Sequence, residues 1–271
     1  MTPTRYELWE NAPEGGDYAP YILHYKPENV TTDSTVFLVP GSGYRANPAI
    51  PVQEGERVAE YLCEQGIQVF VLIYRVGEDC YPSPLLDGRR GMRWLRYHAA
   101  EFGVAKDKII SLGYSAGGHL CASLVSFHKP MSGEGIDEID EENYIPNYQA
   151  LCYPVISFDT TKKYTHKGSV VSLLGSENAE LVPDMCFERT AEAPVPPTFL
   201  FHNFDDASVG VENTLLYACK LRELGTQVEM HIYPHGGHGV GLAIDDKPSS
   251  LHNKDWLPRF VQWLRYNNLL G

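Results

Sequence analysis

The sequence predicts an α/β protein, a mostly parallel central sheet with helices on both faces and a small helical insert. Three observations predict it. Short apolar runs alternate with amphipathic stretches along most of the chain, the order expected of parallel strands joined by crossover helices. Ile67 to Val76 is almost continuously apolar and β-branched, as a strand covered on both faces must be. The hexapeptide Gly113-Tyr114-Ser115-Ala116-Gly117-Gly118 stands between an apolar run and a helix-compatible stretch, so a serine is expected on the sharp turn from strand to helix.

Taken in order, Tyr21 to Tyr25 reads as an early antiparallel strand. Ser34 to Pro40 is a stronger one, β-branched and stopped by proline. The glycine-bearing loop Gly41-Ser42-Gly43-Tyr44-Arg45 follows at its C-terminal end, where an α/β sheet places ligand contacts. Glu54 to Gly66 reads as a helix with Val58, Ala59 and Leu62 on one face. Ser83-Pro84 supplies an N-cap and first-turn pair for a helix carrying Met92, Leu95, Ala99 and Phe102, which Gly103 ends. Lys108 to Leu112 is the strand before the serine, and Ala116 to Phe127 the helix after it. Glu134 to Glu142 holds six acids among nine residues. It lacks the alternating ligands and central glycine of an EF-hand, so it is read as a solvated loop and not as a calcium site. Gln149 to Ser157 returns to strand character. Residues 158–196 are read as a small helical insert over the active-site end of the sheet, within one domain spanning 1–271. Pro197 to His202 is a strand, Val211 to Leu224 a helix, Val228 to Tyr233 a strand, and Asp255 to Tyr266 a final helix burying Trp256, Phe260 and Leu264.

Composition narrows the function. The 271 residues, 43% of them hydrophobic, suffice for one sizeable core. A net charge of −13 disfavours nucleic acid and anionic membranes as partners. No apolar run approaches the roughly 20 residues of a membrane helix, and no secretory signal is visible at the start. The six cysteines are dispersed without a C-x-x-C pair, which reads as buried thiols in a reducing compartment, and a cytoplasmic location is the expectation. No histidine or cysteine spacing suggests a metal site, and no cofactor is expected.

A serine hydroxyl is a poor nucleophile at neutral pH. It needs a base to take its proton and a third group to orient the base. A G-x-S-x-G pentapeptide arises by chance in roughly one chain in ten of this length, so the rest of the chain must supply the partners. Asp205 and Asp206 follow one later strand, and His235 and His238 follow the last. Ser115 and these groups all sit at C-terminal strand ends, so the fold brings them to one edge of the sheet. Adjacent residues point apart, so only one of Asp205 and Asp206 can face the histidine. His238, between Gly237 and Gly239, is favoured over His235 because its loop can swing the imidazole toward Ser115. Backbone N–H groups of Gly41, Ser42, Gly43 and Ala116 are the expected oxyanion donors, and Tyr44, Arg45 and Tyr114 the expected pocket residues.

The chain resembles the α/β-hydrolases, in the small acetyl-esterase and carbohydrate-esterase branch similar to bacterial feruloyl and acetyl-xylan esterases. Pro40 to Tyr44, Gly113 to Leu120, Asp205 to Val209 and Gly237-His238-Gly239 carry the likeness, with lesser matches at Tyr153 to Ile156 and Leu173-Leu174-Gly175. It covers roughly residues 20–270. The family's acid precedes x-x-Val, which selects Asp206, and its histidine precedes glycine, which supports His238. Ser42 departs from the pattern, because the family's oxyanion loop usually carries a third glycine there. The resemblance implies a serine esterase using Ser115, His238 and Asp206 on a short acyl ester such as an acetylated sugar, with a homodimer as the common assembly. A prolyl-oligopeptidase-like peptidase and a non-catalytic binding module are the competing expectations.

Overall fold

The computed structural model describes residues 1–11, 19–46, 51–243 and 253–270. Among the described residues eight strands form one sheet: β1 (Thr4–Glu7), β2 (Tyr21–Tyr25), β3 (Thr35–Val39), β4 (Gln68–Ile73), β5 (Ile109–Tyr114), β6 (Tyr148–Cys152), β7 (Thr198–Asn203) and β8 (Val228–Tyr233). Their spatial order is β1-β2-β4-β3-β5-β6-β7-β8. β1 and β2 are antiparallel to their neighbours, and β4, β3, β5, β6, β7 and β8 run parallel. The α/β class read from the sequence is the architecture found.

The helices are α1 (Arg57–Glu64), α2 (Ser83–Tyr97), α3 (Ala99–Phe102), α4 (Ser115–Ser126), α5 (Lys167–Leu174), α6 (Phe187–Thr190), α7 (Glu212–Glu223) and α8 (Trp256–Tyr266). Alternate strand residues feed opposite faces, as the pleat requires. Phe37, Phe70, Leu72, Leu151 and Leu200 join Leu85, Met92, Leu95, Leu120 and Leu124 from α2 and α4 on one side. Val36, Leu38, Val69, Val71, Leu112 and Phe201 join Val58 and Leu62 from α1 and Trp256, Phe260 and Trp263 from α8 on the other. Burial on both faces explains why β3, β4, β5 and β7 read as unbroken apolar runs.

Differences from the sequence reading have local causes. β1 is largely exposed and polar, so no apolar pattern announces it, and its place comes from pairing with β2. The helix expected from Glu54 begins instead as a π-helical segment, Pro51–Glu56, and becomes α-helical at Arg57. Ser83 and Pro84 are the first two residues of α2 and Pro82 is its N-cap. β6 ends at Cys152, because Tyr153 takes φ 36° and the chain turns toward α4, where Val155 N–H donates to the Ser115 carbonyl. β4 ends at Ile73, and Arg75 enters a buried ion pair with Asp87.

The acidic stretch 134–142 is only partly the solvated loop expected. Glu134 pairs with Arg89 at 2.9 Å and Arg93 at 3.1 Å, and Asp137 and Asp140 both pair with Arg90. The arginines of α2 neutralise the run and pin it to the fold. Residues 158–196 carry α5, a 3₁₀ turn at Ala179–Met185, and α6. Backbone bonds from Cys80 to the Ser172 carbonyl and from Tyr81 to the Leu173 carbonyl fasten α5 to the loop after β4. Among the described residues no disulfide joins the cysteines, five of which are buried, and no helix is long and apolar enough to cross a membrane.

Asp87 is fully buried. It accepts from the Arg75 backbone N–H, from Arg75 Nε and Nη2, and from Trp9 Nε1 at 3.0 Å. Removing one partner of such a pair leaves the other charge uncompensated. Asp87→Ala is therefore expected to lower stability by about 3–5 kcal/mol. Urea unfolding measures it, and a loss below about 1 kcal/mol would contradict the account.

Candidate active site

Ser115 is the first residue of α4 and follows β5 directly. Its φ is 51°, a left-handed conformation that a residue with a side chain adopts only under constraint. Two glycines make the turn possible. A Cβ on Gly113 would lie 2.5 Å from the Gly117 carbonyl oxygen, and one on Gly117 would lie 2.2 Å from the Val39 carbonyl oxygen. The elbow is thus pressed between its own helix and β3.

The Ser115 Oγ lies 2.9 Å from His238 Nε2, and His238 Nδ1 lies 2.6 Å from Asp206 Oδ2. A carboxylate only accepts, so Nδ1–H donates to Asp206 and Nε2 is left to accept the serine O–H. That is the tautomer a serine-activating histidine needs. The structure therefore brings Ser115, His238 and Asp206 together. Asp205 goes elsewhere, accepting from Gly237 N–H at 2.9 Å and facing the exposed His235 at 3.3 Å.

Asp206 is held from several sides. Its Oδ1 accepts from Ser208 and Val209 N–H, each at 2.9 Å. Its Oδ2 lies 3.3 Å from Nε2 of buried His202, which also donates to the Val209 carbonyl while Nδ1 accepts from Thr214. Burial acts to raise the Asp206 carboxyl, but donation by His202 and His238, the field of His238 and the Val209 N–H outweigh it and hold the group well below the usual carboxylate range. His202 is not among the residues that the sequence places in the site. Its position four residues before Asp206, at the end of the same strand, is the signal that could have marked it.

The loop after β3 approaches the elbow closely. A Cβ on Gly41 would lie 2.8 Å from Ser115 Cβ. Gly43 and Tyr44 both take positive φ, 65° and 62°, so the turn coils back tightly. The Gly41 N–H, expected to face an oxyanion, points inward and donates to Glu54 Oε2 at 2.7 Å. It is corrected to an interior donor, which leaves Ser42, Gly43 and Ala116 as the candidates.

The pocket residues divide. Tyr44 is fully buried, with its hydroxyl 2.9 Å from His119 Nδ1. Since His119 Nε2 faces the Met185 carbonyl, Nε2 carries the proton and Nδ1 accepts from Tyr44. Burial holds the His119 imidazole down at about 3, so it stays neutral, stacked on Phe158. Tyr114 is also fully buried, packed between Tyr153 and Trp256. Neither tyrosine is exposed to solvent; a strand residue beside the elbow and a turn residue that swings inward both point into the core. Arg45 is exposed, and its Nε donates to Ser172 Oγ of α5 at 2.7 Å. With Pro40, Gly41, Ser42, Pro51, Leu72, Ile73 and Tyr74 it lines a small cavity beside the loop.

His166 also borders this loop. A Cβ on Gly43 would lie 3.5 Å from His166 Cε1, so the 158–196 segment reaches the site at this point. Among the described residues no group of histidine, cysteine, aspartate or glutamate has a metal-binding arrangement.

The BD-FAE family model matches residues 23–221. An acetylxylan esterase of Xylanibacter ruminicola is 31% identical over 82% of this chain and 44% of its own length. Endo-1,4-beta-xylanase B of Butyrivibrio fibrisolvens is 30% identical over 84% of this chain and 36% of its own length. The chain thus spans less than half the length of these curated relatives. Among solved structures, the acetyl ester-xyloside bifunctional hydrolase of Caldicellulosiruptor lactoaceticus is 33% identical, with a TM-score of 0.86 over 100% of this chain and 98% of that one. A carboxylesterase of Lactobacillus plantarum, at 20% identity and a TM-score of 0.77, shares the fold. Strained elbow, sheet order and sequence likeness converge: the chain belongs to the BD-FAE family of α/β-hydrolases.

Proposed function

We propose that the protein is a serine esterase acting on short-chain, acetyl-type esters, with acetylated sugars as the natural class. The observation that carries the reading is the unbroken line of hydrogen bonds from Ser115 Oγ through His238 to Asp206. Ser115 attacks the ester carbonyl as its proton passes to His238 Nε2. The imidazolium is stabilised by the Asp206 carboxylate. Charge developing on the carbonyl oxygen is taken by N–H groups of Ser42, Gly43 and Ala116, and each such donor is worth about 3–4 kcal/mol of barrier. Collapse of the tetrahedral adduct breaks the bond to the alcohol, which leaves with the proton from His238. Water then attacks the acyl-enzyme with His238 again as base, releasing the acid and restoring Ser115. The acetylxylan esterase and acetyl ester-xyloside hydrolase relatives support a small acyl group on a sugar alcohol.

Ser115→Ala is expected to lower kcat for p-nitrophenyl acetate by at least about 10⁴-fold and to abolish labelling by a fluorophosphonate. Retained turnover by this variant would refute the reading. Acetylated xylo-oligosaccharides should be deacetylated while proline-containing peptides are not cleaved, and the reverse preference would favour a peptidase.

Asp206→Asn is expected to reduce kcat by roughly 10³–10⁴-fold, because the amide disfavours the tautomer that accepts from Ser115. The same group sets an acid limb of stability. Its folded-state pKa is depressed below the unfolded value of about 3.9, so the stability it contributes is present above that pH and lost as the pH falls further. Urea midpoints between pH 6 and 3 should fall more steeply for the wild type than for Asp206→Asn. Parallel slopes would count against the linkage.

A further inference from the structure

One buried acid has no part in the mechanism above. Glu54 is 1% exposed, and among the described residues no basic side chain forms an ion pair with it. A carboxyl group stays in such a place only if its oxygens are hydrogen-bonded. Both are. Oε2 accepts from the Gly41 backbone N–H at 2.7 Å, and Oε1 accepts from the Tyr153 hydroxyl at 2.8 Å.

Each of those partners touches the reacting groups. Gly41 abuts Ser115, close enough that a Cβ there would lie 2.8 Å from Ser115 Cβ and 3.0 Å from Glu54 Oε2. Its amide orientation sets where the next N–H groups, of Ser42 and Gly43, can point. Tyr153 packs its ring edge-on to the His238 ring, with centroids 5.0 Å apart. Its hydroxyl also accepts from Gly241 N–H at 3.1 Å, in the loop that carries His238.

The backbone around Glu54 is itself unusual. Glu54 lies in the π-helical segment Pro51–Glu56, an irregularity that recurs at functional sites. The segment packs close to both loops: a Cβ on Gly55 would lie 3.5 Å from Pro40 Cγ, and one on Gly241 would lie 2.7 Å from the Gln53 carbonyl oxygen. Tyr153 takes φ 36°, a strained value for a residue with a ring. An irregular helix and a strained tyrosine thus meet at one carboxyl group.

We infer that Glu54 is a positioning residue. Through Gly41 it fixes the direction of the oxyanion-loop amides, and through Tyr153 it braces the His238 ring against Ser115. The inference rests on the esterase reading. The interaction is worth most when charge develops on the substrate oxygen, so its loss acts on the chemical step and leaves ground-state binding largely intact.

The test uses the full-length protein with p-nitrophenyl acetate and a fluorophosphonate probe. Glu54→Leu removes both acceptors and is expected to lower kcat by about 10²–10³-fold with KM within about threefold of wild type. Fluorophosphonate labelling should slow in proportion, because the phosphoryl oxygen occupies the same loop. Glu54→Gln keeps a carbonyl oxygen for Gly41 and is expected to recover kcat to within about tenfold of wild type. If Glu54→Leu does not fold, Tyr153→Phe carries the test. It leaves the Gly41 bond intact, and kcat should fall about tenfold at unchanged KM. Wild-type kcat in folded Glu54→Leu, or in Tyr153→Phe where the leucine variant does not fold, overturns the inference, as does a loss confined to KM. Ser115→Ala, run alongside, separates the two ideas. An inactive Ser115→Ala beside a fully active Glu54→Leu rejects the role of Glu54 alone, whereas an active Ser115→Ala rejects the esterase reading itself.

Discussion

Ser115 sits in a left-handed backbone conformation that its own side chain disfavours, and the surrounding fold exists in the arrangement that holds it there. The strain requires backbone at van der Waals limits on two sides, from Gly117 against β3 and from Gly41 against the serine. Such approaches are possible only where a parallel sheet delivers the ends of β3 and β5 side by side. β5 pairs directly with β3, so the loop after one strand and the elbow after the other meet without further construction. The seating of α4 follows from the same constraint, and so does the burial of Tyr44, whose hydroxyl binds His119 on that helix.

A second level of organisation is the set of buried polar groups that keep flexible loops at fixed angles. His202 and two backbone amides orient Asp206, and Asp206 orients His238. Glu54 receives Gly41 and Tyr153. His202, Asp206 and Glu54 are shielded from water, and an unmet hydrogen bond there is costly, so each bond specifies a geometry as well as contributing energy. Loops that would otherwise wander are tied to the strands and helices beneath them. The arginines of α2 do the same for the acidic stretch 134–142 by charge.

Much of this was legible in one dimension. Strands buried on both faces announce themselves as apolar runs, and β3, β4, β5 and β7 lie within a few residues of the runs that predict them for that reason. β1 was not, because an exposed polar edge strand has no pattern of its own. The glycines around Ser115 could be assigned a steric purpose because a tight turn leaves no room for a Cβ. The inward direction of the Gly41 N–H is not legible in the sequence, because it depends on a turn whose neighbours are remote in sequence. The burial of Tyr44 and Tyr114 is hidden for a related reason: an aromatic beside a reactive loop can face either core or solvent, and local sequence does not choose between them.

Chain order alone therefore carried the α/β class, the elbow serine and the order of acid and histidine, since each depends on residue type and on position at a strand end. Which of Asp205 and Asp206 meets His238 was open on spacing and was chosen by likeness to a family; the tertiary structure supplies the contact. The contacts of Glu54, Tyr153 and His119 belong to the folded state. These residues are remote in sequence from most of what they touch, and a buried hydrogen bond between distant residues leaves no periodicity or motif for a sequence to display.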